Sequence, residues 1–378
     1  MKTMIGSYGP WAASLLPETP GPLSLQNCSR EEFAARRAKA KARVLECMAP
    51  PTFGQVAAPT VQWRREFDGL VIEALTWQLP HGAPTEGWVL KPAGATGRLP
   101  AVLALHDHGG FKYLGKEKIA QAGPEVPPLV QAHRADAYEG LAWANELARR
   151  GYVVLVHDAF AFGSRRVRPA DVPLILPSTV VDDNDDTKDG MTAYNLWAGQ
   201  HEHIMAKSLL SAGTTWPGVF WAEDRVALDV LSARADVDPE RIGVGGLSGG
   251  GLRTTFLAGL DARVKCAVCV GMMTTWRDYL LHKSFTHTWM CYVPLLPQDL
   301  DYPEILGLRA PLPALVQNTR ADPLFTVTEM ERAVEKLTSV YRSGGAADNF
   351  RASWYDGRHQ FSRAMQAEAF DWFDRWLR

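Results

Sequence analysis

The sequence predicts an open, mainly parallel α/β sheet with helices on both faces and antiparallel strands at its N-terminal edge. Three observations predict this fold. From residue 99 onwards, continuous apolar segments alternate with segments of helical periodicity, as in βαβ units. Residues 61–92 instead alternate between apolar and polar side chains, as antiparallel strands do. A glycine-rich turn at residues 241–251 joins an apolar segment directly to a helical one.

The N-terminal 60 residues are predicted to form a Pro-rich and helical extension. Ser29 and Glu32 are spaced as a capping box, which indicates a helix that begins there. An extension of this kind packs on its own core or on another subunit, so we expect a homo-oligomer formed through it. The α/β domain is then predicted to span residues 61–378, and Asp68-Gly69 supplies its first tight turn.

Within that domain, the predicted strands share uninterrupted apolar runs, as expected in a sheet buried on both faces. After the antiparallel strands, they lie at residues 100–105, 152–156, 242–247, 264–270, 314–318 and 350–354. Two long segments interrupt the alternation, at about 167–215 and 272–300. We expect these two insertions to form a cap over one edge of the sheet.

The turn after the strand at 242–247 has the sequence Gly246-Leu247-Ser248-Gly249-Gly250. A serine in a Gly-x-Ser-x-Gly turn between a strand and a helix stands at the tip of a tight elbow, which flanking side chains would block. The helix that follows directs its first N–H groups to the place where an oxyanion would form. Ser248 is therefore the candidate nucleophile.

An acid and a base follow in the order that such an elbow requires. Asp322 and His359 come just after later strands, at the sheet edge where open α/β sheets place their sites. His359 can accept a proton from Ser248 near neutral pH, and Asp322 can hold the imidazole in the required tautomer. Asp356, three residues before His359, is the alternative acid.

An oxyanion site needs two backbone N–H donors. Gly249 is expected to supply one of them. The second is expected from the loop after the strand at 100–105, which contains Gly109, Gly110 and Phe111. We favour Gly110 over Phe111, because glycine lets the backbone approach a substrate closely.

Composition excludes several other classes of protein. The net charge of −2 gives no basic excess for nucleic acid or for an anionic membrane surface. The N-terminus lacks the apolar core of a signal peptide, and no apolar run reaches the roughly 18 residues of a membrane span. We therefore expect a soluble, cytoplasmic protein. The five cysteines are scattered and do not resemble a disulfide framework.

No metal or organic cofactor is expected either. The pairs His106/His108 and His201/His203 have no clear carboxylate or cysteine that would complete a metal site. The acidic run 182–186 lacks the spacing of a calcium loop. We interpret these residues as parts of loops and helix surfaces.

The chain resembles the α/β-hydrolase superfamily, and within it the dienelactone-hydrolase and acetyl-xylan-esterase-like branch. The resemblance covers roughly residues 85–378 and depends on the following segments: His106-Asp107-His108-Gly109-Gly110, Asp158 with Phe162-Gly163-Ser164-Arg165, 237–250 and Gly357-Arg358-His359-Gln360-Phe361. Dienelactone hydrolases use a cysteine where this chain has Ser248. The resemblance therefore implies ordinary ester hydrolysis.

These observations predict a serine carboxylic-ester hydrolase that acts through Ser248, His359 and Asp322 on a small ester, such as an acetylated carbohydrate or an aryl ester. Aromatic residues of the oxyanion loop and the second insertion are expected to line its substrate pocket: Phe111, Trp276 and Trp289. One alternative is a peptidase of the prolyl-oligopeptidase type, although 378 residues leave no room for that family's extra β domain. The other is a non-catalytic binding protein on a hydrolase scaffold.

Overall fold

The computed structural model describes residues 2–17, 20–173, 182 and 184–378. Their order of strands and helices is that of an α/β protein. The strands are β1 (Thr60–Phe67), β2 (Leu70–Trp77), β3 (Thr85–Pro92), β4 (Leu99–Ala104), β5 (Val153–His157), β6 (Val237–Leu247), β7 (Val264–Val270), β8 (Ala314–Thr319) and β9 (Phe350–Tyr355). All of these strands belong to one sheet, in the order β1-β2-β3-β5-β4-β6-β7-β8-β9.

The sheet has an antiparallel part at its N-terminal edge and a parallel part beyond it, as the sequence predicts. β1, β2 and β3 pair antiparallel, and β3 also pairs antiparallel with β5. The strands from β5 to β9 pair parallel. The carboxyl ends of six parallel strands therefore meet at one edge of the sheet, which is where the candidate catalytic residues follow β6, β8 and β9.

Helices cover both faces of the sheet. They are α1 (Gly9–Ala13), α2 (Arg30–Met48), α3 (Pro128–Ala137), α4 (Trp143–Arg149), α5 (Lys188–Ser211), α6 (Trp216–Ser232), α7 (Gly249–Leu260), α8 (Trp276–Asp278), α9 (Tyr302–Gly307), α10 (Val327–Ser343) and α11 (Arg363–Leu377). Side chains of α4 and α11 pack in the core on one face, and those of α2, α6, α7 and α10 pack on the other. Cys266 and Cys269 of β7 belong to opposite cores, as their spacing predicts.

One predicted helix differs from the observed structure. The sequence pattern predicts a helix from around Tyr138 to Arg150, whereas the observed helix α4 begins at Trp143, after a turn that separates it from α3. Glu139 and Gly140 in this turn have φ angles of 49° and 82°, which a continuous α-helix does not allow. The break leaves Tyr138 free to reach the Asp107 carboxylate, with 2.5 Å between the Tyr138 hydroxyl and Asp107 Oδ1.

The N-terminal extension packs on the chain's own core. Phe33, Val44 and Met48 of α2 belong to the same hydrophobic cluster as the sheet. The backbone N–H of Met4 donates to Leu281 O in the second insertion, with an N···O distance of 3.2 Å. Self-association through this segment stays a prediction.

Both predicted insertions lie beside the sheet edge that carries the candidate site. The first contains α5, and the part of it at residues 174–181 and 183 lies outside the described residues. The second contains α8 followed by short irregular turns up to Gln298. No helix in the described part of the chain is long and apolar enough to cross a membrane.

Candidate active site

Ser248 stands at the tip of the predicted elbow. β6 ends at Leu247 and α7 begins at Gly249, and Ser248 between them has φ 56° and ψ −115°. This is a strained conformation for a residue with a side chain, and such strain is concentrated at functional sites. A Cβ atom at Gly246 or Gly250 would collide with the carbonyl oxygen of Leu105. Both glycines are therefore needed for the elbow to pack against the end of β4.

His359 and Asp322 form a close pair beside the elbow. Asp322 follows β8 and His359 follows β9, and 2.6 Å separates His359 Nδ1 from Asp322 Oδ2. Asp322 is only 4% exposed, and its other oxygen accepts the backbone N–H of Leu324 at 2.9 Å. Asp356, the alternative acid, is exposed and is not the partner of His359. Of the two carboxylates, the structure therefore brings Asp322 to the imidazole.

The other ring nitrogen of His359, Nε2, is the atom that could accept a proton from Ser248. Because the carboxylate of Asp322 can only accept a hydrogen bond, Nδ1 carries the proton and Nε2 presents a lone pair. Among the described residues, Nε2 is buried and has no hydrogen-bond partner. His359 and Ser248 line the same cavity, which has a volume of about 390 Å³. An imidazole in this tautomer is prepared to accept a proton at the serine.

The oxyanion loop, residues 106–111, lies directly against the elbow. A Cβ atom at Gly249 would be 2.8 Å from the backbone nitrogen of His108, so these two backbone segments are in contact. The His108 N–H has no acceptor among the residues that the structure describes. Gly109 and Gly110 line the cavity and have φ angles of 55° and 65°, which favour glycine. The N–H of Gly110, however, donates to His108 Nδ1 at 2.9 Å.

A buried carboxylate that the sequence analysis did not assign lies in the same cavity. Glu202 of α5 is 6% exposed and lines the cavity with Ser248. Its Oε1 lies 2.6 Å from His108 Nε2 and 2.5 Å from Lys112 Nζ. Thr288, in the second insertion, donates its hydroxyl to Glu202 Oε2 at 2.7 Å. The sequence pattern assigns no role to Glu202, which lies between His201 and His203, because its partners are distant along the chain.

A second network of buried side chains contacts the oxyanion loop at Asp107 and His108. Asp107 is 2% exposed and contacts His133 and Tyr138, with 3.1 Å between His133 Nε2 and Asp107 Oδ1. Lys118 donates to the carbonyl oxygens of Asp107 and His108 at 2.8 and 2.9 Å. Burial lowers the pKa of Lys118 to about 8, against the opposing effect of the Asp107 carboxylate. The loop backbone is therefore fixed on the side that faces away from the cavity.

A further histidine, His287, lies between the candidate active site and a neighbouring cavity. His287 lines the cavity of Ser248 and also an apolar cavity of about 610 Å³ beneath the N-terminal extension. Burial, together with the neighbouring His359, lowers the pKa of His287 to about 4. Near neutral pH its imidazole is therefore uncharged and adds no positive charge beside the catalytic pair.

The aromatic residues predicted for the substrate pocket lie elsewhere. Trp276 and Trp289 line the apolar cavity on the other side of His287. Trp276 packs edge-on against Tyr302 and donates its indole N–H to Leu300 O at 3.2 Å, so it is part of the core. Phe111 is 5% exposed and packs in a separate cluster with Val130 of α3. The cavity wall is instead formed by polar residues and by Leu252, Met272 and Leu324.

Comparisons with known proteins agree with this architecture. A profile of the prolyl oligopeptidase family matches residues 213–378, which include Ser248, Asp322 and His359. The provisionally named hydrolase YtaP of Bacillus subtilis (strain 168) is 28% identical over 310 residues, covering 81% of this chain and 88% of YtaP.

Solved structures show the same fold. A Bacteroides fragilis protein provisionally described as an acetyl xylan esterase superposes with a TM-score of 0.69 and 19% identity, over 93% of this chain and 83% of that one. A glucuronoyl esterase from Solibacter usitatus superposes with a TM-score of 0.62 and 15% identity, over 95% of this chain and 98% of that one. Sheet order, nucleophile elbow and these likenesses together show that the chain has the α/β-hydrolase fold.

Proposed function

We propose that the chain is a serine carboxylic-ester hydrolase in which Ser248 is the nucleophile. The observation that supports this most strongly is the placement of Ser248, on a strained elbow, in one cavity with a histidine whose Nδ1 is held 2.6 Å from a buried aspartate. A binding protein needs neither the strained serine nor the buried pair. A hydrolase needs both, because a serine hydroxyl is a weak nucleophile until a base removes its proton.

The reaction follows from the roles of the three side chains. Ser248 Oγ attacks the ester carbonyl carbon while its proton passes to His359 Nε2, and the carbonyl π electrons move to the oxygen. The tetrahedral intermediate collapses, the bond to the alcohol breaks, and the alcohol leaves with the proton from His359. Water then attacks the acyl-enzyme by the same route, and the acid is released. Asp322 stabilises the imidazolium that exists in both intermediates.

The two oxyanion donors are proposed to be the backbone N–H groups of Gly249 and His108. Gly249 is the residue directly after the nucleophile and begins α7, so the positive end of the helix adds to its effect. The His108 N–H lies against Gly249 and has no acceptor in the described part of the chain, whereas the Gly110 N–H already donates to His108. His108 therefore replaces Gly110 as the proposed second donor. Gly109 and Gly110 let the loop turn away from the cavity.

The proposed substrate is a small acyl ester of a carbohydrate. The cavity of about 390 Å³ is small, and its apolar residues Leu252 and Met272 suit a short acyl group such as acetyl. Its polar residues suit an alcohol that carries hydroxyl groups. The description of one structural neighbour, provisionally an acetyl xylan esterase, agrees with this class of substrate.

Peptide hydrolysis is the second candidate. It is favoured by the match of residues 213–378 to the prolyl oligopeptidase family. Against it, the strands of the described part of the chain form one sheet, without a separate β domain that could select peptides. The same serine and histidine would serve either reaction, so the leaving group decides between the two candidates.

A substrate panel with one variant tests the proposal. We expect the wild-type protein to hydrolyse p-nitrophenyl acetate and acetylated xylo-oligosaccharides, and to leave a prolyl peptide anilide intact. Ser248→Ala should lower ester hydrolysis by at least about 10⁴-fold, because removal of a triad nucleophile leaves only the binding site and the oxyanion donors. Full activity in a folded Ser248→Ala protein would exclude the proposal. Faster turnover of the anilide than of the esters would favour the peptidase.

A further inference from the structure

We propose that Glu202 is a positioning residue that holds the oxyanion loop in its productive conformation through His108. This inference rests on the proposed function, in which the His108 N–H is an oxyanion donor. It also gives the first insertion a role beyond covering the site. Helix α5, which carries Glu202, would support the part of the active site in which negative charge develops.

The contacts of Glu202 connect three separate parts of the active site. Oε1 contacts His108 and Lys112 of the segment after β4, at 2.6 and 2.5 Å. Oε2 accepts the Thr288 hydroxyl at 2.7 Å and lies 3.4 Å from the backbone nitrogen of Trp289. Both oxygens are thus fully occupied by protein groups. Although Glu202 lines the cavity, it has no lone pair to offer a substrate, so its role is to hold the protein groups around it.

These contacts fix the tautomer of His108. The backbone N–H of Gly110 can only donate, so His108 Nδ1 must present a lone pair to it. In the neutral imidazole the proton then sits on Nε2 and is donated to Glu202 Oε1. Burial also lowers the pKa of His108, and the Lys112 ammonium group adds to this effect. A neutral His108 is therefore held at both ring nitrogens, and its backbone N–H is held with them.

Helix α5 contacts the same segment at a second point. The side-chain oxygen of Asn195 accepts the backbone N–H groups of Lys112 and Tyr113, at 2.8 and 2.9 Å. Asn195 and Glu202 lie seven residues apart, which is about two turns and so places both on one face of the helix. Loss of Glu202 would leave Asn195 to hold residues 112–113 and Lys118 to hold the carbonyl oxygen of His108. The His108 imidazole would lose its partner at Nε2, and with it the fixed position from which it holds the Gly110 N–H.

The test compares Glu202→Leu and Glu202→Gln with a matched control on the same helix. Glu202→Leu removes every contact. Glu202→Gln keeps one oxygen for His108 and Lys112. This milder variant also allows the test to proceed if Glu202→Leu does not fold. His203→Ala is the control, because His203 is the next residue along α5 and is exposed. Each variant is measured for kcat, KM and thermal unfolding.

A trifluoromethyl ketone gives the readout that separates a positioning role from a structural one. Ser248 Oγ adds to its carbonyl carbon, His359 takes the serine proton, and the oxygen becomes an oxyanion that needs the donor pair. Binding of this inhibitor therefore reports on the oxyanion donors, whereas KM mainly reports on the ground state. We expect kcat and inhibitor affinity to fall together, with KM within about threefold of wild type.

The expected losses are roughly 10- to 100-fold for Glu202→Leu, because one donor is displaced, and about three- to tenfold for Glu202→Gln. His203→Ala should match the wild type. If Glu202→Leu does not fold, the result for Glu202→Gln decides. Wild-type kcat and inhibitor affinity in the folded variants would overturn the proposal, as would a loss that appears only in KM. An active Ser248→Ala protein would instead overturn the proposed function itself.

Discussion

His359 and His157 each lie beside an aspartate, yet their surroundings differ. His359 Nδ1 is 2.6 Å from Asp322, and His157 Nε2 is 3.0 Å from Asp224. His359 opens onto the cavity of Ser248. His157 lies at the end of β5 and is 1% exposed, with Asp224 of α6 at 1%.

The His157–Asp224 pair also contacts a cation, the guanidinium group of Arg253. Arg253 of α7 contacts Asp224 through two nitrogens, and its Nη2 lies 2.9 Å from His157 Nε2. The Nε2 atom of His157 therefore faces a cation and a carboxylate at once, and protein groups occupy it in either tautomer. In His359, the contact with Asp322 uses Nδ1 and leaves Nε2 without a hydrogen-bond partner among the described residues.

This difference teaches that a short histidine–carboxylate distance does not by itself define a catalytic pair. The imidazole must also line a cavity, and a nucleophile must lie in the same cavity. Asp322 with His359 meets these conditions, whereas Asp224 joins β5, α6 and α7 in the protein core. Matched substitutions in the two pairs should therefore have opposite effects on activity and on stability.

The largest expected effect is that of His359→Ala. Removal of the proposed base should lower kcat for p-nitrophenyl acetate by on the order of 10⁶-fold, as is typical of the histidine in serine hydrolase triads. The protein should still fold but with some loss of stability, because the buried Asp322 loses its imidazole partner and keeps only the Leu324 N–H. Steady-state kinetics and a thermal melt measure the two properties. A loss of less than tenfold would show that another group is the base.

Asp322→Asn should have the next largest effect. The amide can donate to Nδ1 and thereby favour the wrong tautomer of His359, so we expect kcat to fall by roughly 10⁴-fold. KM should stay near that of the wild type, because Asp322 is buried behind the histidine. The assay is ester hydrolysis from pH 6 to 9. Recovery of wild-type activity anywhere in this range would contradict the assignment.

Asp224→Asn is the matched substitution in the other pair, and it should affect stability. The Arg253 charge would lose its buried partner, which costs roughly 3 to 5 kcal/mol of unfolding free energy. Urea denaturation measures this loss. The kcat of the folded protein should stay within about threefold of wild type, because Asp224 is outside the cavity. A large loss of kcat without a loss of stability would mean that this pair takes part in catalysis.

The smallest expected effect is that of a substitution at His287. This histidine has no hydrogen bond to a carboxylate among the residues that the structure describes. Its pKa is about 4 in the folded chain, because of burial first and His359 second, while an unfolded histidine titrates near 6.5. Between these values the unfolded state binds more protons, so stability falls as the pH drops from 6.5 towards 4. His287→Gln should remove about 1 to 2 kcal/mol of this fall, measured by urea denaturation at pH 7.0 and 4.5. Equal losses in both proteins would contradict the shifted pKa.

The sequence predicts the sheet well, and it places the three candidate catalytic residues at one edge of that sheet, for a physical reason. Strands buried on both faces are apolar throughout, and the elbow needs glycine at fixed positions around Ser248. Asp322 and His359 each follow a strand directly, so local patterns are enough to place them at one edge of the sheet. These features depend on residues that are close in sequence.

The support of the oxyanion loop could not be predicted in this way. Glu202 is 94 residues from His108 and 86 from Thr288, and no local pattern marks one glutamate on a helix as their partner. For the same reason, Trp276 could not be distinguished from a pocket residue. An aromatic side chain in an insertion serves a core or a cavity equally well until the packing is known.

Labelling with a fluorophosphonate tests the central claim most directly, since this reagent modifies only an activated serine. Wild type, Asp322→Asn and Asp224→Asn are labelled below the unfolding temperature of the last, and the modified peptide is identified by mass spectrometry. We predict a single adduct on Ser248 that forms at similar rates in the wild type and Asp224→Asn, and at least 100-fold more slowly in Asp322→Asn. An adduct on another residue, or equal rates in all three proteins, would contradict the assignment of Ser248 and its activation by His359 and Asp322.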